Sequence, residues 1–245
     1  MTLSFLCCLP MLKLIFFGRT EKLRNFTQDA VRLGFVLTLK FLKILHVVEL
    51  KADLGSIDVN TPHILVCNHI SMFDYLAVLS HFPRCYTFVK KKVLRNPLLA
   101  PIVKACGFIP LDPDSPADRL EAYQRASALI DSGNTFVAWP EGTRSKTGEL
   151  GAFQPGIFKI AMNLSRDITP VFFSSNFPIF NNTEVFRIFP ERICYRMRIG
   201  GAIPVPKVVS QNPLEARKAV RSFCSVVQDI FHRWTQTGEI NVSDK

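Results

Sequence analysis

A histidine and an aspartate lie five residues apart in the sequence Asn-His-Ile-Ser-Met-Phe-Asp, which occupies positions 68–74. Histidine exchanges a proton near neutral pH, and a carboxylate that accepts a hydrogen bond from one ring nitrogen fixes the tautomer in which the other nitrogen is a base. The pair follows an apolar strand and precedes a predicted helix, a junction at which α/β folds commonly present chemistry. A structural alternative exists, because Ser71 and Asp74 also match a helix capping box. That alternative leaves Asn68 and His69 unexplained.

A second polar stretch reads Glu-Gly-Thr-Arg-Ser and directly follows an apolar run. Backbone amides, hydroxyls and a guanidinium together suit a phosphate, because the guanidinium of arginine offers the phosphate oxygens a planar fork of donors. Taken alone, the stretch would be an exposed turn with a solvated arginine. Combined with the histidine stretch, it predicts a site for a phosphate-bearing substrate. The candidate binding residues are Glu141, Gly142, Thr143, Arg144 and Ser145.

Two other groups near these stretches have structural explanations. The run Lys90-Lys91-Lys92 follows an apolar strand, and a charge run is usually a solvated face, although this position could also draw an anionic head group. Cys67 is a rival nucleophile, but it ends an apolar strand, so we expect it in the core.

The composition favours a membrane surface over nucleic acid as the partner. Hydrophobic residues make up 48% of the 245 residues, 21 of them are Phe, and the net charge is +10. A basic and apolar chain suits an anionic membrane face, and no zinc-finger or RNA-binding signature appears. The seven cysteines show no metal-ligand spacing, so we expect no metal, no structural disulfide and a reducing, cytoplasm-facing location.

The N-terminal part of the chain predicts a membrane-docking module. Residues 3–17 are mostly apolar but too short to cross a bilayer, so we expect an interfacial or partly inserted helix, with a helix buried against the domain as the alternative. Residues 29–50 predict a second helix, in which Arg32, Lys40 and Lys43 make a full crossing costly. The polar residues 19–28 would join the two. We therefore divide the chain into amphipathic helices over 1–50 and a domain over 51–245.

From residue 47 onward, strands and helices alternate, which predicts an α/β fold with a mostly parallel central sheet flanked by helices. No GxGxxG or P-loop is present, so we expect no nucleotide cofactor. Predicted strands lie at 47–51, 64–67, 85–89, 108–111, 135–139, 168–174, 185–189 and 193–199. Predicted helices lie at 73–80, 98–105, 117–130 (capped by Asp114 or Ser115), 156–164 and 214–234.

These motifs resemble those of the glycerophospholipid acyltransferases, especially the 1-acylglycerol-3-phosphate acyltransferases. The family's first motif, Asn-His-x-Ser-x-x-Asp, and its third, Glu-Gly-Thr-Arg-Ser, are both matched fully and in order. Its fourth, an apolar strand around a proline, is matched at Pro170, and its lysine falls on Lys91, ahead of Leu94 and Pro97. The resemblance covers roughly residues 45–210 and implies the family's α/β fold. The predicted N-terminal helices also resemble the membrane-docking module of bacterial members.

The resemblance implies an O-acyltransferase on the membrane that makes a phospholipid from a lysophospholipid and acyl-CoA or an acyl carrier protein, with no cofactor. His69 and Asp74 would be the catalytic pair, and Arg144 would bind the acceptor's phosphate. Asn68, Ser71, Lys91, Glu141, Gly142, Thr143 and Ser145 would complete the substrate site. Backbone amides near Ser71 would stabilise the oxyanion.

The chain departs from the family at two cations. The second motif usually ends Ile-Asp-Arg, whereas this chain reads Leu-Asp-Pro at 111–113, and Gln154 stands where a lysine is usual. The missing cations favour one alternative, an acyltransferase for a different lysolipid such as a lyso-amino-acid lipid. A separate alternative, a membrane-binding protein without catalysis, is opposed by the intact motifs at 68–74 and 141–145.

Overall fold

A seven-stranded sheet organises the part of the chain that the structure describes. The computed structural model describes residues 21–145, 149–177, 192–207 and 212–237. The order across the sheet is β1-β7-β6-β2-β5-β3-β4. The strands are β1 (Val48–Asp53), β2 (Ile64–Cys67), β3 (Cys85–Lys90), β4 (Ile109–Leu111), β5 (Thr135–Ala138), β6 (Ile168–Ser175) and β7 (Ile193–Ile199).

The sheet is mostly parallel, as the strand–helix alternation predicts. All neighbouring strands pair in parallel except β6 and β7, which are antiparallel. The central strands β2 and β5 are buried at all four positions, which explains why both are continuous apolar runs. Their carboxyl ends lie side by side, and the two polar stretches follow them directly.

Helices cover both faces of the sheet and divide the core in two. The helices are α1 (Glu21–Ile44), α2 (Phe73–His81), α3 (Ala100–Cys106), α4 (Pro116–Asp131), α5 (Gly156–Asn163) and α6 (Pro213–Thr237), and a 3₁₀ helix spans Lys91–Arg95. The first core cluster lies between the sheet and α4, α5 and α6. The second lies under α1 and α2. Alternate residues of β2 contribute to each, as the two-residue repeat of a strand requires.

Most predicted elements are confirmed to within two residues at each end, and the strands at 64–67 and 193–199 in full. Ser115 is the cap of α4, because its hydroxyl accepts a hydrogen bond from the backbone N–H of Asp118 at 3.2 Å. The predicted helix at 3–17 and strand at 185–189 lie outside the described residues.

The prediction for the second N-terminal helix is wrong at both ends. Helix α1 begins at Glu21, eight residues earlier than predicted, and ends at Ile44. Residues 21–28 of the predicted linker lie inside the helix: Thr27 and Gln28 are buried, and Gln28 Nε2 donates to the Cys106 carbonyl at 2.7 Å. The predicted boundary at residue 50 falls within β1, which pairs with β7. No helix in the described ranges is long and apolar enough to cross a bilayer.

Candidate active site

His69 and Asp74 meet in the connection between β2 and α2. The ring nitrogen Nδ1 of His69 lies 2.6 Å from Asp74 Oδ2. Asp74 is fully buried and His69 is 8% exposed. Because Asp74 engages Nδ1, the other ring nitrogen, Nε2, is the one that can take a proton from a substrate.

The remaining acceptor sites of the Asp74 carboxylate are also occupied. Oδ2 accepts from the backbone N–H groups of Ile70 and Ser71, at 2.9 and 3.0 Å. Oδ1 accepts from the hydroxyl of Tyr195. A buried carboxylate with this many donors is held in a single orientation. The amide of Ser71 therefore serves Asp74, and the role of other backbone amides near Ser71 at an oxyanion stays a prediction.

The capping box at Ser71 is present in part. Asp74 accepts from the N–H of Ser71, as a box requires, but the Ser71 hydroxyl accepts from Phe73 at 3.0 Å rather than from Asp74. The first residue before the helix is Met72, which makes no side-chain cap. Capping and the catalytic pair thus use the same carboxylate without competing.

Asn68 ties the end of β2 to β6 instead of pointing a free amide at the site. Its Nδ2 donates to the carbonyl of Phe173 at 2.9 Å, and its Oδ1 accepts from the N–H of Phe173 at 2.7 Å. This reciprocal pair, buried at 4% exposure, continues the β2–β6 ladder beyond the strand.

Glu141 joins the second polar stretch to the first. Its Oε1 accepts from the N–H of His69 at 2.7 Å, and its Oε2 accepts from the N–H of Gly151 at 2.8 Å. The N–H of Ser145 donates to the carbonyl of His69 at 2.7 Å. Burial raises the pKa of Glu141 to about 7. The two backbone donors act in the opposite direction and lower it, while the charge of Asp74 adds a smaller rise.

The turn that carries Arg144 is made possible by glycine. Gly142 has a φ of +69°, in the region that other residues adopt at a cost, and its N–H donates to the carbonyl of Trp139 at 3.0 Å. Gly142 and Thr143 are exposed, and Arg144 is half-buried near Tyr75. Burial raises the pKa of Tyr75, and the positive charge of Arg144 lowers it by a smaller amount.

Lys91 does not join this group in the structure. It lies in the 3₁₀ helix, and its Nζ is 2.5 Å from Oδ2 of Asp118 on α4. Its neighbour Lys90 ends β3, next to β5 in the sheet, and its pKa is lowered first by burial and then by the positive charges of Lys92 and Arg144. In the segment 111–113, which differs from the family's second motif, the carbonyl of Pro113 accepts from Arg119 Nη1 at 2.6 Å.

Two aromatic rings pack beside the His69 imidazole. The centroids of Tyr75 and Trp139 lie 5.7 and 5.4 Å from it, and these two rings stack on each other at 4.0 Å. Cys67 is completely buried, and burial raises the pKa of its thiol well above the usual range, so it is no nucleophile. A cleft of about 750 Å³ opens beside the pair, and its lining includes Asn68, Ser71, Glu141, Ser145 and Tyr195.

Sequence reasoning missed Tyr195, Trp139 and Tyr75, and it named Lys90 only as part of a charge run. The alternation of buried positions along β7 indicates that Tyr195 faces the core, but its contact with Asp74 spans 121 positions and leaves no local signal. Among the described residues, no group of three or more His, Cys, Asp and Glu side chains is arranged to hold a metal ion.

Comparison with known proteins identifies the family. Residues 48–174, just over half of the chain, match the family model described as Acyltransferase. The chain is 32% identical over 113 residues to the chloroplastic 1-acyl-sn-glycerol-3-phosphate acyltransferase of Brassica napus, covering 46% of this chain and 33% of the relative. It is 30% identical over 131 residues to the human 1-acyl-sn-glycerol-3-phosphate acyltransferase beta, covering 50% of this chain and 45% of the relative. The match thus spans from a third to under half of these relatives' lengths.

The fold has a solved counterpart. The crystal structure of the 1-acyl-sn-glycerophosphate (LPA) acyltransferase PlsC from Thermotoga maritima superposes with a TM-score of 0.57 at 19% identity, covering 93% of this chain and 95% of that one. The mostly parallel α/β sheet with flanking helices is therefore the fold of that enzyme. With the family model matched over both polar stretches, the chain belongs to the Acyltransferase family.

Proposed function

We propose that this protein transfers an acyl chain from a thioester, either acyl-CoA or an acyl carrier protein, to the free hydroxyl of 1-acylglycerol-3-phosphate. The observation that carries the proposal is the buried 2.6 Å contact between His69 Nδ1 and Asp74 Oδ2, tied through Glu141 to the loop that bears Arg144. The names of the relatives in Brassica napus and human support this acceptor.

The geometry of the pair supports the following reaction. His69 Nε2 removes the proton of the acceptor hydroxyl as its oxygen attacks the thioester carbonyl. Asp74 stabilises the imidazolium that forms. When the tetrahedral intermediate collapses, the C–S bond breaks and His69 returns the proton to the departing thiolate. The products are an ester and a free thiol, so no oxidant and no covalent enzyme intermediate is needed.

We assign the acceptor's phosphate to Arg144 and Lys90. Their charges are close enough that Arg144 contributes to the lowered pKa of Lys90. Two like charges at one edge of a sheet repel each other, and a dianionic phosphate between them would relieve that repulsion. Lys91, which the family resemblance favours, is engaged by Asp118 instead.

The outer face of α1 supports docking on a membrane surface. One face of the helix packs on the domain through Val31, Phe35, Leu39 and Leu42. The opposite face carries a stripe of exposed apolar side chains. They are Phe26, Leu33, Leu37, Phe41 and Ile44, each between 43 and 73% exposed. A long apolar stripe beside cations such as Lys40 suits an anionic lipid surface.

The proposal is tested by measuring thiol release from acyl-CoA with a panel of lysolipids. We expect release with 1-acylglycerol-3-phosphate, and we expect His69→Ala to lose about 10²–10⁴-fold of the rate while remaining folded. Release with another lysolipid alone would favour a different acceptor. Equal activity of the His69→Ala variant would overturn the mechanism, and no release with any acceptor would favour a membrane-binding protein.

A further inference from the structure

The orientation of Asp74 depends on a strand outside the matched family region. Three donors to the Asp74 carboxylate, His69 and the backbone of Ile70 and Ser71, come from the same short connection. All three engage Oδ2. The donor to Oδ1 is Tyr195, which lies on β7, beyond residues 48–174.

Tyr195 is suited to hold a carboxylate rather than to exchange a proton with it. The side chain is fully buried. Burial, with Asp74 beside it, raises the pKa of Tyr195 well above its usual range, so its hydroxyl keeps its proton and donates. The Ser71 side chain has a smaller, opposite effect on that pKa, and its hydroxyl accepts from the backbone N–H of Phe73. The Tyr195 hydroxyl is thus the donor that reaches Oδ1.

A packing role alone does not account for this hydroxyl. The Tyr195 ring fills the core between Phe73 and Phe173, with centroids at 5.6 and 6.0 Å. A phenylalanine would fill the same space without placing a polar atom in an apolar cluster. A buried hydroxyl is costly unless it is hydrogen-bonded, and here its partner is the carboxylate that orients His69.

We propose that Tyr195 is a positioning residue for the catalytic pair, acting through Asp74. A carboxylate held only through Oδ2 can rotate about its own axis, whereas a donor on Oδ1 fixes its plane and with it the direction of Oδ2 toward His69 Nδ1. The inference rests on the proposed acyl transfer, and it extends the site to β7.

The test compares Tyr195→Phe with Tyr86→Phe. Tyr86 is a buried tyrosine on β3 that belongs to the other core cluster, so it controls for the loss of a hydroxyl from the core. We expect Tyr195→Phe to lower kcat for thiol release about tenfold with KM for both substrates unchanged, and Tyr86→Phe to leave both constants unchanged. A residue that merely packs would change neither constant once the folded fraction is matched.

Two further measurements connect the effect to Asp74. In an Asp74→Asn background, Tyr195→Phe should have little additional effect on kcat, because the carboxylate it positions is gone. Independently of any substrate, the ¹H NMR signal of the His69 Nδ1–H, identified by its absence in His69→Gln, should broaden and exchange with solvent faster in Tyr195→Phe. Since this readout needs no activity, it separates failure of this inference from failure of the proposed function.

Three outcomes would overturn the inference. They are an unchanged kcat in Tyr195→Phe, the same fold loss in the Asp74→Asn background as in the wild type, or an unchanged Nδ1–H signal. If Asp74→Asn does not fold, the NMR signal and the separation of kcat from KM decide.

Discussion

Oε1 of Glu141 accepts a hydrogen bond from the backbone N–H of His69 at 2.7 Å, although the two residues are 72 positions apart in the chain. The second carboxylate oxygen accepts from Gly151, where a Cβ would lie only 3.0 Å from Oε2. One side chain therefore fixes three segments to one another: the connection that carries the base, the loop with Arg144 and the segment before α5. A side chain at position 151 would therefore push the Glu141 carboxylate out of its present place.

The first prediction concerns stability and pH. The pKa of Glu141 is raised from 4.5 to about 7, chiefly by burial. Between those values the folded state binds more protons than the unfolded state, so the stabilising contribution is complete below about pH 4.5 and is lost as the pH rises through about 7. The Glu141→Gln variant is the reference, because glutamine does not titrate. As the pH rises over that interval, the free energy of unfolding of the wild type should fall relative to this variant by about 3 kcal/mol at most.

Denaturant titrations at several pH values measure this difference. A difference between wild type and Glu141→Gln that does not change with pH would contradict the raised pKa.

The second prediction separates the neighbouring lysines. Lys90→Met should raise KM for the phosphate-bearing acceptor about 10- to 100-fold, because it removes a charge-assisted contact worth about 1.5–3 kcal/mol. Lys91→Met should leave that KM nearly unchanged, since it breaks only an exposed ion pair with Asp118, which solvent screens. Steady-state kinetics with the acceptor varied gives both values. The reverse order of effects would assign the phosphate to Lys91.

The third prediction concerns the role of Asn68. Asn68→Ala should lower the free energy of unfolding by about 2–4 kcal/mol, because it leaves both backbone groups of Phe173 buried without partners. Asn176 provides a matched control, since it bridges the backbone of Arg192 and Cys194 in the same way but at an exposed site.

At the Asn176 site, water can replace the lost contacts, so Asn176→Ala should cost less than about 1 kcal/mol. Both free energies come from denaturant unfolding. Equal losses in the two variants would mean that burial does not determine the cost.

The fourth prediction concerns α1. Replacing Leu37 and Phe41 together by Ser should weaken binding to anionic vesicles at least about tenfold, because two side chains from the exposed stripe no longer enter the lipid. Leu120→Ser on α4 is the control, because Leu120 is 61% exposed on a different helix. Vesicle sedimentation measures the bound fraction. If both variants bind like the wild type, α1 is not the docking surface.

Local patterns in the sequence were sufficient for the central strands and for the two polar stretches. The four apolar residues of β2 and of β5 are buried on both faces, and each run is followed at once by a polar segment. Since parallel neighbours place their carboxyl ends together, the sequence alone brings His69 and Glu141 to one edge. The separation of His69 and Asp74 within one connection is likewise a local feature.

The same reasoning failed for α1 because its burial is set by distant partners. Thr27 and Gln28 near its start are buried, with Gln28 donating to Cys106, and its apolar residues form two opposite faces, only one of which packs on the domain. The continuous apolar run in the sequence therefore did not show that one side of the helix packs on the domain while the other side is exposed.

The sequence by itself determined which side chains stand close together in the chain, because a histidine with an aspartate and a loop with an arginine are encoded in two short motifs. Tertiary structure decided the partners of these side chains. It engages Lys91 with Asp118 and leaves Lys90 facing the charge of Arg144, and it brings Tyr195 across 121 positions to Asp74. These contacts depend on sheet order and register, which join strands far apart in the chain and leave no trace in local spacing.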